Sequence, residues 1–406
     1  MNKLVSLFSI LFLICSCTEK RQRQQVKSLQ LIQSPTTGVS AQPFLFSGEK
    51  TLLSWIENKG DSIYSLKYAE LKNEKWDAAK TINTGSNWFV NWADFPAIAV
   101  QNGNILSHFL QMSAEGTYTY DIKMKLFNKQ ENLWKDDFVL HNDGTKSEHG
   151  FVTLLPYEED TFFITWLDGR NTAGGNGHGD HGGGAMTVRA ATVTSKGEIR
   201  DDVELDGKTC DCCQTGAAIT TNGPIVVYRD RSDEEIRDIY ISRLLDSVWT
   251  TPKAIFNDNW KISGCPVNGP KAVAIDNTLA VSWFTNANDQ AKVKLIFSKD
   301  AGATFNEPII IDEAKPLGRV DVALLDPENV LVSWITEMHT KTVINAVKVN
   351  ISGQKNEVIL VSELDGSRTS GFPQLEIVND KAIFAWTDVI NGMTSVKTAK
   401  ISLADF

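Results

Sequence analysis

The sequence predicts an all-β chain folded as a β-propeller of seven blades, and three observations carry that expectation. Runs rich in Val, Ile, Thr and aromatics dominate the chain, and helical periodicity is scarce. A strand ending in an aromatic and followed by polar residues recurs at Trp55, Phe109, Trp166, Tyr228, Trp283, Trp334 and Trp386, 51 to 62 residues apart, a period that suits four-stranded blades. The last copy has room for only three strands, ending near Ile401, while an N-terminal strand around Leu29–Gln33 is left over. Pairing the two closes the ring and removes exposed sheet edges. A six-bladed ring with one distorted repeat is the alternative.

Met1 to Cys17 reads as an export signal, with a charge at Lys3, an apolar run from Leu4 to Ile14 and small residues after it. The end of that run, Ile14-Cys15-Ser16-Cys17, resembles the bacterial lipoprotein processing box, which implies cleavage before Cys17 and a lipid on its sulfur. The run is short for a transmembrane span, and acyl chains anchor without crossing. The polar, basic stretch 18–27 suits a tether, and 28–406 is expected to be a single propeller domain. The expected location is therefore the cell envelope, on a bacterial membrane and for preference the outer one. A net charge of −10 argues against a nucleic-acid surface.

Each repeat divides into four strands, A to D from the axis outward. Strand A precedes the aromatic strand B, as at Phe95–Val100, Phe151–Leu155, Ala217–Thr220, Lys271–Ile275, Val320–Leu325 and Phe372–Ile377. Strands C and D follow, for example Val293–Phe297 and Pro308–Ile311. Loops from D to the next A, and from B to C, then emerge on one face. Nearly every unusual segment falls there: 87–96, 141–151, 168–184, 206–213, 229–238, 259–270, 317–321 and 365–373. Such convergence marks a binding or catalytic funnel.

Ser298-Lys299-Asp300-Ala301-Gly302-Ala303-Thr304-Phe305, between strands C and D of the fifth blade, falls on the opposite face. It resembles the Asp-box (bacterial neuraminidase repeat) of the sialidase superfamily, S-x-D-x-G-x-T-W/F. The resemblance implies a structural role for Asp300 and a funnel that binds a carbohydrate or other anionic ligand. In that superfamily three arginines grip the substrate carboxylate, for which bidentate guanidinium geometry is suited. The funnel here offers Arg170, Arg229, Arg231, Arg237, Arg319 and Arg368, of which Arg319 and Arg368 lie just before A strands, close to the axis. Pairing with a neighbouring acid such as Asp168, Asp230 or Asp321 is the competing expectation. The superfamily nucleophile is a tyrosine activated by a glutamate. Tyr118 and Tyr120 lie on the funnel side, whereas Tyr228 takes the repeat's Trp position and is expected in the core. The chain departs from the superfamily in lacking any Arg-Ile-Pro triplet and in its blade count.

Four cysteines remain after the signal: Cys210, Cys212 and Cys213 open the fourth blade and Cys265 opens the fifth. Export makes disulfides the default, one linking Cys265 to the cluster and the other local. Thiolates at this density also suit zinc or copper(I), with His141, His149, His178 and His181 as further ligands, and a redox-active vicinal pair is a third possibility. No cofactor is required otherwise. Acid/base candidates are Asp94, Asp143, Glu148, Asp168, Asp211, Asp230 and Glu235; Asp94 and Glu148, with His149 beside it, are best placed, each just before an A strand. The expected function is a lipid-anchored propeller that binds a glycan, or hydrolyses one with Asp94, Glu148 or Asp230 as acid/base. A non-enzymatic binding module with a stapled rim, or a thiolate metal protein, are the alternatives.

Overall fold

Seven antiparallel sheets follow one another around a ring in this computed structural model, which describes residues 29–173 and 184–406. Cys17 with the export signal, the tether 18–27, and His178 and His181 lie outside the described residues. Blades 1 to 6 span 40–86, 98–139, 149–206, 216–254, 271–312 and 316–364. Blade 7 takes its inner strands from 374–402 and its outermost from Gln30–Ile32, which pairs antiparallel with Met393–Ser402. The ring thus has seven blades, not six, and closes through its N-terminal strand. No helix among the described residues is long and apolar enough to cross a membrane.

The aromatic repeat explains the count. Each B strand is covered on both faces by neighbouring blades, so its side chains are apolar without alternation, as in the burial of Thr278–Thr285. Trp55, Trp166 and Trp283 are fully buried, and Phe109, Tyr228, Trp334 and Trp386 are nearly so. A buried indole N–H needs an acceptor. Trp55 donates to Glu57, Trp166 to Asp168, Trp283 to Asp258 and Trp334 to Asp312 (3.1, 2.9, 2.7 and 2.7 Å). Outer strands such as Ile199–Asp206 are largely exposed instead.

The A strands of six blades and the loop entering blade 2 line a small axial cavity of about 130 Å³. Three of these A strands carry bulges at the funnel end, where Gln42, Phe151 and Arg319 take positive φ (56°, 55° and 51°). Bulges re-aim side chains next to functional sites, and non-glycine residues in this region hold strain that their surroundings must maintain.

Candidate functional site

Asp94 sits in the loop entering blade 2 and lines the axial cavity. The bulged Phe151 donates its backbone N–H to Asp94 Oδ1 at 2.8 Å. The Tyr120 hydroxyl lies 3.1 Å from Asp94 Oδ2 and 2.9 Å from Glu148 Oε1. Gly150 leaves the room for this: a Cβ there would stand 1.9 Å from Asp94 Oδ2. All three side chains are buried. Burial pushes the Asp94 carboxyl up to about 7 against the bonds from Phe151 and Tyr120. Glu148 is pushed well up by burial and by the nearby charges of Asp94 and Asp211, and the Tyr120 phenol is raised by burial and both acids. One phenol hydrogen can bond only one of the two carboxylates at a time, and burial raises both acids toward the protonated form. The group is therefore a proton-sharing acid–phenol–acid chain. Tyr120, only a minor candidate from sequence, is its centre.

Tyr120 and Glu148 pair in an isolated parallel bridge. Side chains alternate along extended backbone, so the next residue on each segment, Asp121 and His149, faces away from the acid chain. There His149 stacks on His141 with ring centroids 3.5 Å apart and planes within 5°. His141 Nδ1 lies 2.9 Å from Asp143 Oδ2. His149 Nε2 lies 3.2 Å from that oxygen and 3.7 Å from Asp168 Oδ1. Arg170 caps Asp168 with two hydrogen bonds of 2.7 and 2.8 Å, so its charge is already matched.

The remaining arginines divide sharply. Arg229 is buried, and its guanidinium donates to the carbonyls of Asn268, Arg237 and Phe284 and lies over Trp260. That makes it a buried strut between blades 4 and 5, with four of its five N–H donors spent on backbone carbonyls. Arg231 is held by Glu235 and Asp211, and Arg237 by Glu235, the Ile262 carbonyl and Cys210 Sγ. Arg319 differs: its partners are the Ser370 hydroxyl and the Gly371 carbonyl, both at 3.0 Å, while Asp321 binds the backbone of Val322 and Leu375 instead. Arg319 and Arg368 lie over the same Trp92 ring (4.9 and 5.7 Å), which stacks on Phe372. Burial, then the like charge of Arg368, lowers Arg319 to about 10. Neither has a carboxylate partner among the described residues, and Trp92 lies two residues from Asp94. Asp230 stands apart, raised to about 7 by burial and by Asp206 beside it. The Tyr228 hydroxyl also binds Asp206, at 2.6 Å.

Cys212 and Cys265 form a disulfide across the entrances to blades 4 and 5. The expected second, local bridge is not present: Cys210 and Cys213 are buried free thiols with sulfurs 3.4 Å apart. Burial opposes ionisation of Cys210, but the Cys213 hydrogen bond and the charges of Arg237 and Arg229 prevail and bring it to about 6. With Cys212 and Cys265 joined, Cys210 and Cys213 are the thiols that remain as candidate ligands.

The turn Ser298–Phe305 is held by Asp300, which accepts from the Thr304 N–H and hydroxyl (2.8 and 2.7 Å), with Gly302 at φ 79°.

No protein-family model matches the chain, and no curated protein sequence does. Among solved structures it is similar to a protein of unknown function from Dyadobacter fermentans, at TM-score 0.51 and 12% identity over 93% of this chain and 98% of that one. It is similar to polysaccharide lyase Uly1, at TM-score 0.51 and 11% identity over 89% and 90%. The endosialidase of phage phi92 gives TM-score 0.50 and 9% identity over 92% and 68%. At such identities the likeness shows the β-propeller fold alone.

Proposed function

We propose that the funnel binds a glycan carrying a carboxylate-bearing sugar and cleaves the glycosidic bond beside it. One observation carries this: two guanidinium groups, Arg319 and Arg368, converge on Trp92 with no carboxylate to neutralise them among the described residues, and Asp94 is on the same loop. A ligand carboxylate would relieve their repulsion. Asp94, raised to about 7 by burial, suits a general acid to the leaving oxygen. Tyr120, hydrogen-bonded to Glu148, suits the nucleophile or a base. The similarity to a polysaccharide lyase and an endosialidase supports a carbohydrate ligand, and the lyase favours elimination from a uronate as the second chemistry. By the same proposal the chain is anchored at the cell envelope through Cys17.

The test offers the soluble form starting at Thr18 a fluorogenic sialoside and uronate-containing polysaccharides, beside Arg319→Ala and Asp94→Asn. Turnover lost in both variants supports the proposal; new ultraviolet absorbance from an unsaturated uronate would assign elimination, and new reducing ends without it hydrolysis. Binding without turnover points to a recognition module. No binding of any acidic glycan overturns the proposal. For the anchor, Cys17→Ser should move the protein from the membrane to the soluble fraction, and retention there would count against it.

A further inference from the structure

We propose that Asp121, His141 and His149 form a binding site for a divalent metal ion of the zinc type, behind the acid–phenol–acid chain. Asp121 Oδ1, His141 Nε2 and both ring nitrogens of His149 are buried and make no well-aligned hydrogen bond, although His149 Nε2 lies 3.2 Å from Asp143 Oδ2 and His141 Nε2 3.8 Å from Asp121 Oδ1. Native proteins leave only a few such atoms per hundred residues, and each calls for an explanation. Here they share one place: a carboxylate oxygen of Asp121 and one nitrogen from each ring all lie within 4.8 Å of one another.

The surroundings match those of metal-bound histidines. His141 gives its other nitrogen to Asp143, and Asp143 Oδ1 is itself fixed by the Thr145 N–H at 2.8 Å. A carboxylate on the far nitrogen sets the tautomer and leaves the near lone pair facing the ion. Two parallel imidazoles in van der Waals contact cannot both carry charge cheaply, and neutral rings are what a cation requires. Mixed imidazole and carboxylate donors suit zinc and its neighbours over calcium or magnesium. The acids around His149 on the other side, Asp143 and Asp168, already have Thr145, Arg170 and the Trp166 indole as partners, so the orphaned set is the better site. Two ligands come from blade 2 and its exit loop and one from blade 3, so an ion would tie these blades together directly behind Tyr120 and Glu148.

The experiment strips the soluble chain with chelator, adds Zn²⁺ or Co²⁺, desalts it, and measures metal per chain and the Co²⁺ visible spectrum. About one equivalent is expected. Asp121→Asn, nearly isosteric, and His141→Gln should each weaken binding at least 10-fold, while Cys210→Ser with Cys213→Ser should keep the metal and the spectrum. Circular dichroism of each apo variant separates lost binding from lost fold, and Asp121→Asn carries the test if His141→Gln fails to fold. The proposal is overturned if the folded parent binds no metal, if Asp121→Asn binds as tightly as the parent, or if the cysteine variant alone loses the ion. Because this readout needs no substrate, its failure is independent of the proposed glycan cleavage.

Discussion

Glu57 in blade 1 and Asp94 at the entrance to blade 2 are buried alike, 1% and 2% exposed, yet the protein treats them in opposite ways. Glu57 accepts the Trp55 indole N–H and pairs with Lys67 at 2.8 Å and with Lys59. Against the opposing effect of burial, these partners bring its carboxyl down to about 2. Asp94 has a backbone N–H and a phenol but no lysine or arginine among the described residues, and burial leaves it at about 7. A buried acid with matched charge braces the fold. One held without a counter-charge, beside a second acid, is kept able to exchange a proton, which is how perturbed groups at functional sites arise.

The sharpest way to break that contrast is to neutralise each acid. Asp94→Asn should reduce turnover of a cleaved glycan by about 10²–10⁴-fold, the range for a lost general acid, while the chain unfolds at no lower denaturant concentration than the parent. An Asn variant that retained most of its activity would return Asp94 to the scaffold. The arginines make the same comparison. Arg229→Ala leaves three carbonyls unpaired and should cost about 3–5 kcal/mol in chemical denaturation. Arg319→Ala removes two hydrogen bonds and the contact with Trp92 but also relieves the like charge of Arg368, and the opposing effects should leave stability within about 1 kcal/mol of the parent. Affinity for an acidic ligand should meanwhile fall about 100-fold in calorimetry. Equal destabilisation by the two substitutions would dissolve the distinction. Glu57→Gln comes next, with a loss of about 2–3 kcal/mol and activity per folded molecule unchanged.

These contrasts also show what was legible beforehand. The blade count could be read because each wedge between blades must be filled, and Trp55 through Trp386 fill it at a steady interval. Closure followed from one missing and one spare strand, and the loop rule put Asp94, Glu148, Arg319 and Arg368 on one rim. The partner of each charge could not be read. Arg229 and Arg319 look alike as loop arginines; a cage of carbonyls decides the first, and a bulge with positive φ aims the second toward Trp92. Tyr120 and the Asp121–His141–His149 group were missed as units, although the adjacent pairs Tyr120-Asp121 and Glu148-His149 at neighbouring strand ends carried a signal. Alternation sends one member of each pair to either side. The cysteines were legible only in part. Cys210 and Cys213 stay reduced although Cys212 reaches Cys265, a closure over 53 residues that contributes about 4 kcal/mol in the chain-entropy account.

The smallest effect separates the two acids by the sign of their pH dependence. Asp94 has a folded value raised above its ordinary 3.8 to about 7, so the folded state binds its proton more tightly than the unfolded chain does. That contribution is complete below 3.8 and is lost as pH rises through about 7. Glu57 is lowered from 4.5 to about 2, so its contribution is present above 4.5 and is lost as pH falls toward 2. The stability of Asp94→Asn relative to the parent should therefore rise between pH 4.5 and 8, by about 1–2 kcal/mol once proton sharing with Tyr120 and Glu148 is allowed for. The deficit of Glu57→Gln should stay flat over that range and shrink only on acidification below 4.5. Urea unfolding of both variants at pH 3, 4.5, 6 and 8 reads the two slopes directly. Parallel slopes would mean that Asp94 has a counter-charge after all, and the case for its holding a transferable proton would end there.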